Sequence, residues 1–187
     1  MPDLESESNA WLERENSLAH EGRLSRLKWM AKNTPQPENL VFRGGLMSKF
    51  LFEEARYSFV YGQFLATIIL SLAFIEHVLA ALFYETGRND LERAGIAKLA
   101  KEALQQRWLS ENEYAWLEEI REIRNPIVHF RHLGIQPNEQ SEQNWWRNRI
   151  ESRSILQNQL PYELLEEDAK KAVTITLHLL GTNLMSA

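Results

Sequence analysis

An arginine, an asparagine and a histidine stand close together in the stretch 120–130, which reads Ile-Arg-Glu-Ile-Arg-Asn-Pro-Ile-Val-His-Phe. Arg124 suits phosphate, because a guanidinium is always charged and can grip two phosphoryl oxygens at once. His129 can accept or donate a proton near neutral pH, and Asn125 can donate a hydrogen bond to the same phosphate. RNA supplies its own nucleophile, the 2′-hydroxyl, so these parts suffice for metal-free cleavage that leaves a 2′,3′-cyclic phosphate.

Helical geometry brings only part of this set onto one face. On an ideal helix Asn125 and His129 lie about 40° apart, whereas Arg124 and His129 lie about 140° apart. Pro126 removes a backbone donor and clashes with the preceding turn, so we expect the helix to kink or to start there. A site shared between two subunits would also bring the arginine and the histidine together.

The pattern Arg-Asn, three residues, then His resembles the HEPN signature, an arginine followed by a polar residue and, a few positions later, a histidine. The resemblance covers residues 48–184 and implies a helical bundle, a homodimer with facing motifs, and metal-independent ribonuclease activity without a cofactor. It implies that Glu76, on the preceding long helix, supports the motif. It also implies a toxin or phage-defence effector, a single-stranded RNA or transfer RNA substrate, and a nucleotidyltransferase-type antitoxin as partner. The chain departs from the family pattern at Pro126 and in its leading 47 residues.

A structural role for the same residues stays open. Arg124 could pair with Glu76 and hold two helices together, and His129 could be a core histidine bonded to a backbone carbonyl. The chain would then be a non-catalytic HEPN dimer that binds a protein or a nucleotide.

Further RNA contacts are predicted on both sides of the motif. Residues 121–153 hold six arginines and four glutamates, a local excess of +2 in a chain of net charge −5. Arginines can hold phosphates and indoles can stack on unpaired bases, although a solvated arginine face and a core tryptophan would look the same. The candidates for RNA contact are Arg121, Arg131, His132, Trp146, Arg147 and Arg149.

Composition restricts the other classes of function. The negative net charge argues against a general nucleic-acid coat protein, which is usually basic. The absence of cysteine excludes disulfides, thiolate zinc sites and a cysteine nucleophile. No His-x-x-x-His pair or glycine-rich phosphate loop occurs, so we expect neither a metal ion nor a nucleotide cofactor.

The distribution of apolar residues, Gly and Pro predicts an all-α bundle of five or six helices. Residues 1–47 are interpreted as a polar helical extension and 48–187 as the HEPN-like domain. Asp90 is expected to cap one helix and Ser110 with Glu113 to form a capping box for another. The predicted helices of the domain are 48–85, 90–107, 110–134, 145–157 and 164–184.

The uncharged run Tyr57–Ile75 is long enough to be a transmembrane candidate. Gln63, Thr67 and Ser71 fall four apart and make a polar stripe, and Glu76 follows within the apolar span, so we interpret the segment as a core or dimer-interface helix instead. Because the first residues do not resemble a secretory signal, we expect a cytoplasmic protein without membrane partners.

Overall fold

The computed structural model describes residues 3–35, 42–128 and 152–181, with the backbone alone for 126–128 and 152. These residues form helices and no strand, which confirms the all-α prediction. A single 3-10 turn, Asn89–Leu91, lies between the third and fourth helices. The α-helices are α1 (Leu4–Asn33), α2 (Gly45–Val60), α3 (Phe64–Glu85), α4 (Ile96–Gln105), α5 (Glu111–Val128), α6 (Ser152–Gln157) and α7 (Pro161–Gly181).

Helix α3 is the centre of the bundle and packs against α2, α4, α5 and α7. Its apolar side chains are buried by all four neighbours, and each fully buried Leu, Ile or Phe stabilises the fold by about 1.5–3 kcal/mol. Those that are almost completely buried are Ile68, Phe74, Ile75, Val78, Leu79, Leu82 and Phe83. The prediction of a long apolar helix at the core is therefore confirmed.

Helices α2 and α3 are separate, whereas the sequence predicted one helix over 48–85. Gly62 adopts a left-handed backbone, with φ of +78°, which an L side chain disfavours. The backbone N–H of Gln63 donates to the backbone carbonyl of Ser58 at 2.8 Å, and this hydrogen bond closes the end of α2. The extra break explains why seven helices occupy the described ranges instead of five or six.

The start of α4 also differs from the prediction. Asp90 lies in the 3-10 turn, where its carboxylate accepts two hydrogen bonds from Arg88, at 2.8 and 3.0 Å. The residue that precedes α4 is Gly95, which caps it without a side-chain bond. Asp90 is therefore not the cap of this helix, because a nearby guanidinium holds its carboxylate.

Helix α1 confirms the prediction of a polar helix in the leading segment. Of its 30 residues only Met30 is buried. Near its carboxyl end, Arg26 donates from Nε to the Val60 carbonyl at 3.0 Å and lies 3.5 Å from the Glu166 carboxylate. These contacts tie the last turns of α1 to α2 and α7; the boundary at residue 47 stays a prediction.

Helix α3 is long and apolar enough to cross a membrane by length and composition, and half of its most apolar 18-residue window is buried in the bundle. The core helix of a soluble protein meets the same criterion. Thr67 and Ser71, from the expected polar stripe, are buried, and Thr67 donates from Oγ1 to the Gln63 carbonyl at 2.9 Å. Thr67 thus satisfies its hydroxyl on its own helix, whereas the buried Ser71 hydroxyl has no hydrogen-bond partner among the described residues.

The capping box at the start of α5 is confirmed. The Glu113 carboxylate accepts from the Ser110 amide at 2.8 Å and from its hydroxyl at 2.7 Å, and the Glu113 amide donates back to Ser110 Oγ at 3.2 Å. His178 of α7 also bonds the Glu113 carboxylate. The carboxylate thus fixes both the start of α5 and its contact with α7.

We expect Glu113→Ala to lower the free energy of unfolding by about 1–2 kcal/mol, because the cap and the bond to His178 are lost together. Urea titration measures the loss, with the exposed Glu111→Ala as the matched control in the same turn. A loss no larger than that of the control would contradict the prediction.

The effect of Glu113→Ala should depend on pH. Burial raises the pKa of Glu113, but hydrogen bonds from Ser110 and the contact with His178 outweigh burial and place the pKa below the ordinary 4.5. A depressed carboxylate pKa stabilises the fold above the unfolded pKa and ceases to do so as pH falls through the folded pKa. The stability difference between parent and variant should therefore be full at neutral pH and shrink below about pH 4.5.

Candidate functional site

Helix α5 presents Arg124 towards α3. Ile120 and Ile123, which are fully buried, orient the inner face of α5. Arg124 follows Ile120 by four residues, so it extends the same face by one turn, and its side chain is partly buried. The helix continues through Pro126 to Val128, so a helix start at Pro126, one of the two expected outcomes, is wrong, and the kink stays a prediction.

Arg124 lines a cavity of about 410 Å³ built from four parts of the chain. The largest wall is a single stripe of α3, whose members recur at helical spacing. These members are Ile69, Leu72, Ala73, Glu76, His77 and Ala80. Leu51 of α2 contributes an apolar side chain, the segment before α4 adds Glu92, Arg93 and Ala94, and α4 adds its first residue, Ile96.

Glu76 and Arg124 share this cavity but do not form an ion pair. Within the described residues, neither side chain has a hydrogen bond or a charged partner. The prediction that Glu76 lies near the motif is supported by the shared cavity, whereas the direct Arg124–Glu76 bridge is wrong. The site therefore presents a carboxylate that accepts and a guanidinium that donates, each available to a ligand.

His77 lines the cavity and also contacts the backbone of Gly44, the residue that precedes α2. Its Nε2 lies 3.2 Å from the Gly44 carbonyl. Gly44 has φ of +83°, and a Cβ there would lie 2.5 Å from Ser48 Oγ and 2.7 Å from His77 Cδ2. The close approach of His77 therefore requires glycine at 44.

Two adjacent glycines give a matched test of this contact. Gly45 has a similar φ, +75°, but a Cβ there meets nothing within 4 Å. We expect Gly45→Ala to cost about 1 kcal/mol of stability through backbone strain alone. Gly44→Ala should cost about 1–3 kcal/mol more, because Ser48 or His77 must also move.

Urea unfolding of both variants measures these losses, and the NMR signals of His77 report whether its ring leaves the cavity. Equal losses for Gly44→Ala and Gly45→Ala would mean that the contact with His77 contributes nothing.

Asn125 and Arg121 are not among the residues that line the cavity. Asn125 is partly buried next to Arg124. Arg121 lies 3.1 Å from Glu118 in the same helix, so part of its charge is already compensated. The remaining predicted site residues lie outside the described residues: His129, Arg131, His132, Trp146, Arg147 and Arg149.

Arg153, which belongs to the arginine-rich stretch, has a structural contact. Its guanidinium lies 2.9 Å from the fully buried carboxylate of Asp168 in α7. The local positive excess is therefore smaller than the count of arginines suggested.

Three polar or charged cavity residues were not predicted as site residues from the sequence: His77, Glu92 and Arg93. His77 falls on the α3 stripe that starts at Ile69, so helical periodicity could have found it. Glu92 and Arg93 were assigned to a continuous helix, and only the 3-10 turn before α4 brings them to the cavity.

Comparison of the chain with protein-family models, with curated proteins and with solved structures gave no match. Nor do the described residues hold a group of three His, Asp or Glu side chains arranged to bind a metal ion. The cavity and its charged residues are therefore the basis for an assignment of function.

Proposed function

We propose that the chain is a metal-independent endoribonuclease of the HEPN type, acting as a toxin or a phage-defence effector in the cytoplasm. The observation that carries the proposal is Arg124. This arginine opens onto a cavity large enough for a nucleotide, and it has no ion-pair partner within the described ranges. An unpaired, partly buried guanidinium is a strong site for a phosphate, which it can hold through two hydrogen bonds.

In the proposed reaction the 2′-oxygen forms a bond to the adjacent phosphorus and the bond from phosphorus to the 5′-oxygen breaks. His129 accepts the proton of the 2′-hydroxyl, and the 5′-oxygen leaves with a proton from a second acid. Arg124 stabilises the charge that develops on the phosphoryl oxygens, and Asn125 donates a hydrogen bond to them. The products are a 2′,3′-cyclic phosphate and a 5′-hydroxyl.

We propose that the protein is a homodimer, in which the second His129 is that acid. An exposed apolar stripe on α2 supports self-association, because its side chains share one helical face: Leu46, Phe50, Tyr57 and Tyr61. Sedimentation equilibrium should then give twice the chain mass of 21.9 kDa. A nucleotidyltransferase-type antitoxin remains the proposed regulator.

The experiment is incubation of the purified protein with total RNA in excess EDTA, beside the double variant Arg124→Ala/His129→Ala of matched purity. We expect the parent alone to cut the RNA and to leave cyclic-phosphate ends. Cutting by both proteins would indicate a contaminating nuclease, and cutting that requires added Mg²⁺ would contradict the mechanism.

The second candidate is a non-catalytic module that binds a nucleotide or protein ligand. It is favoured by the same cavity, which joins an apolar wall to four charged side chains, those of Glu76, Glu92, Arg93 and Arg124, and so suits binding without any chemistry. Saturable nucleotide binding without RNA cleavage would select it.

A further inference from the structure

The cavity beside Arg124 has the shape and lining of a small-molecule site. Its volume of about 410 Å³ lies near the lower end of the range of about 300–1,000 Å³ found for such sites. One side is apolar, built by Leu72, Ile69 and Ile96 with smaller alanines. A flat aromatic ring can bury its faces on such a wall while its polar edge turns to the charged groups.

Of the four charged side chains that line the cavity, Glu76 and Arg124 are partly buried and Glu92 and Arg93 are exposed, so the first two define what a buried ligand must carry. The Glu76 carboxylate only accepts hydrogen bonds and the Arg124 guanidinium only donates them. Neither has a partner among the described residues, and a partly buried charge without a partner is costly. The matching ligand therefore has adjacent donors at one end and an anion at the other.

Among the RNA bases, guanine alone presents two adjacent donors, N1–H and the N2 amino group, on its Watson–Crick edge. A carboxylate can accept both at once, as it does from the fork of an arginine. Adenine and cytosine each offer one amino group next to an acceptor, and uracil offers a single N–H between two acceptors. In single-stranded RNA these edges are accessible to side chains.

We propose that this cavity binds guanine, with Glu76 reading N1–H and N2–H2 and Arg124 holding the 3′-phosphate of the same nucleotide. This inference deepens the proposed function: it rests on that function for RNA as the source of the guanine, but not for binding itself. Because Arg124 would hold the scissile phosphate, cleavage would follow guanosine. The exposed Arg93, which also lines the cavity, would meet a neighbouring phosphate.

The test uses titration calorimetry of the full chain with the 3′-monophosphates of guanosine, inosine and adenosine. Inosine lacks the N2 amino group and so isolates one of the two hydrogen bonds. We expect guanosine 3′-monophosphate to bind at least about tenfold more tightly than the adenosine compound, because hydrogen bonds to a charged group are strong. Inosine 3′-monophosphate should fall between them.

Variants assign the contacts. Glu76→Gln should remove the preference for guanosine, and the exposed Glu54→Gln on α2, which lies outside the cavity, should keep it. Arg124→Ala should weaken the binding of all three nucleotides to a similar extent. Thermal melting checks that each variant is folded, which Glu76→Gln should be because no contact of Glu76 within the described chain is lost.

Equal binding of the three nucleotides, or a preference that survives Glu76→Gln, would overturn the assignment, as would tighter binding of a free amino acid, which carries an ammonium and a carboxylate. Failure of the two proposals can be told apart. Guanosine-selective binding without RNA cleavage would contradict the ribonuclease proposal and support the guanine-binding site. Cleavage in EDTA at sites unrelated to guanosine would contradict the guanine-binding site and support the ribonuclease proposal.

Discussion

Replacing Arg124 with alanine is expected to lower the rate of RNA cleavage about 10³-fold, since the phosphoryl charge in the transition state loses its guanidinium. Stability should change little, because the partly exposed side chain has no ion pair within the described part of the chain. Initial rates on a fluorescent single-stranded RNA measure the loss. Thermal melting of the same preparation separates it from unfolding.

Two companion variants sharpen this prediction. Arg124→Lys keeps the positive charge but loses the bidentate hydrogen bonding to phosphate, so its cleavage rate should lie between those of the parent and the alanine variant. Lys101→Ala removes an exposed cation from α4, outside the cavity, and should cleave at the parental rate. If Arg121→Ala were inactive and Arg124→Ala active, the phosphate ligand would be Arg121 and the proposed site would be wrong.

Replacing His129 with alanine is expected to reduce cleavage by about 10²- to 10⁴-fold, the range that a general acid or base contributes. Imidazole added to the buffer should restore part of the rate, because a small base can enter the space that the ring leaves. His20→Ala, an exposed histidine of α1, is the matched control and should cleave normally. A variant that loses activity without rescue, and melts earlier than the parent, would assign His129 to the fold instead.

Local signals in the sequence predicted the class of fold and several helix ends. Ser110 and Glu113 form the expected capping box, and the break near Gly44 is the start of α2. The capping box joins residues three positions apart, so the sequence contains its whole cause, whereas glycine at 44 is also required by the close approach of His77. Pro161 begins α7 as a first-turn proline can, three residues before the predicted start at residue 164.

The misplaced helix ends have causes that the hydrophobic pattern does not record. Gly62 stands in an apolar run that continues on both sides, so its left-handed turn leaves no mark on the hydrophobic pattern. Asp90 has the side chain of a helix cap, but Arg88 competes for its carboxylate. Helix propensity alone does not predict that another side chain will compete for the carboxylate of a capping residue.

The site was predicted in part. Arg124 and Glu76 were chosen from a motif and a long helix, and they do share a cavity. That they remain unbridged could not be foreseen, because it depends on the distance between α3 and α5. Glu92 and Arg93 reach the cavity only through the turn before α4, which the sequence did not reveal.

The most direct measurement of the central claim is cleavage, in excess EDTA, of two RNA oligonucleotides that differ by a single 2′-deoxy substitution at the cut site. The 2′-hydroxyl is the proposed nucleophile, so the all-ribose strand should be cut to a 2′,3′-cyclic phosphate while the substituted strand stays intact at that position. Equal cutting of both strands at that position would contradict the account, because the nucleophile would then be water and not the RNA itself.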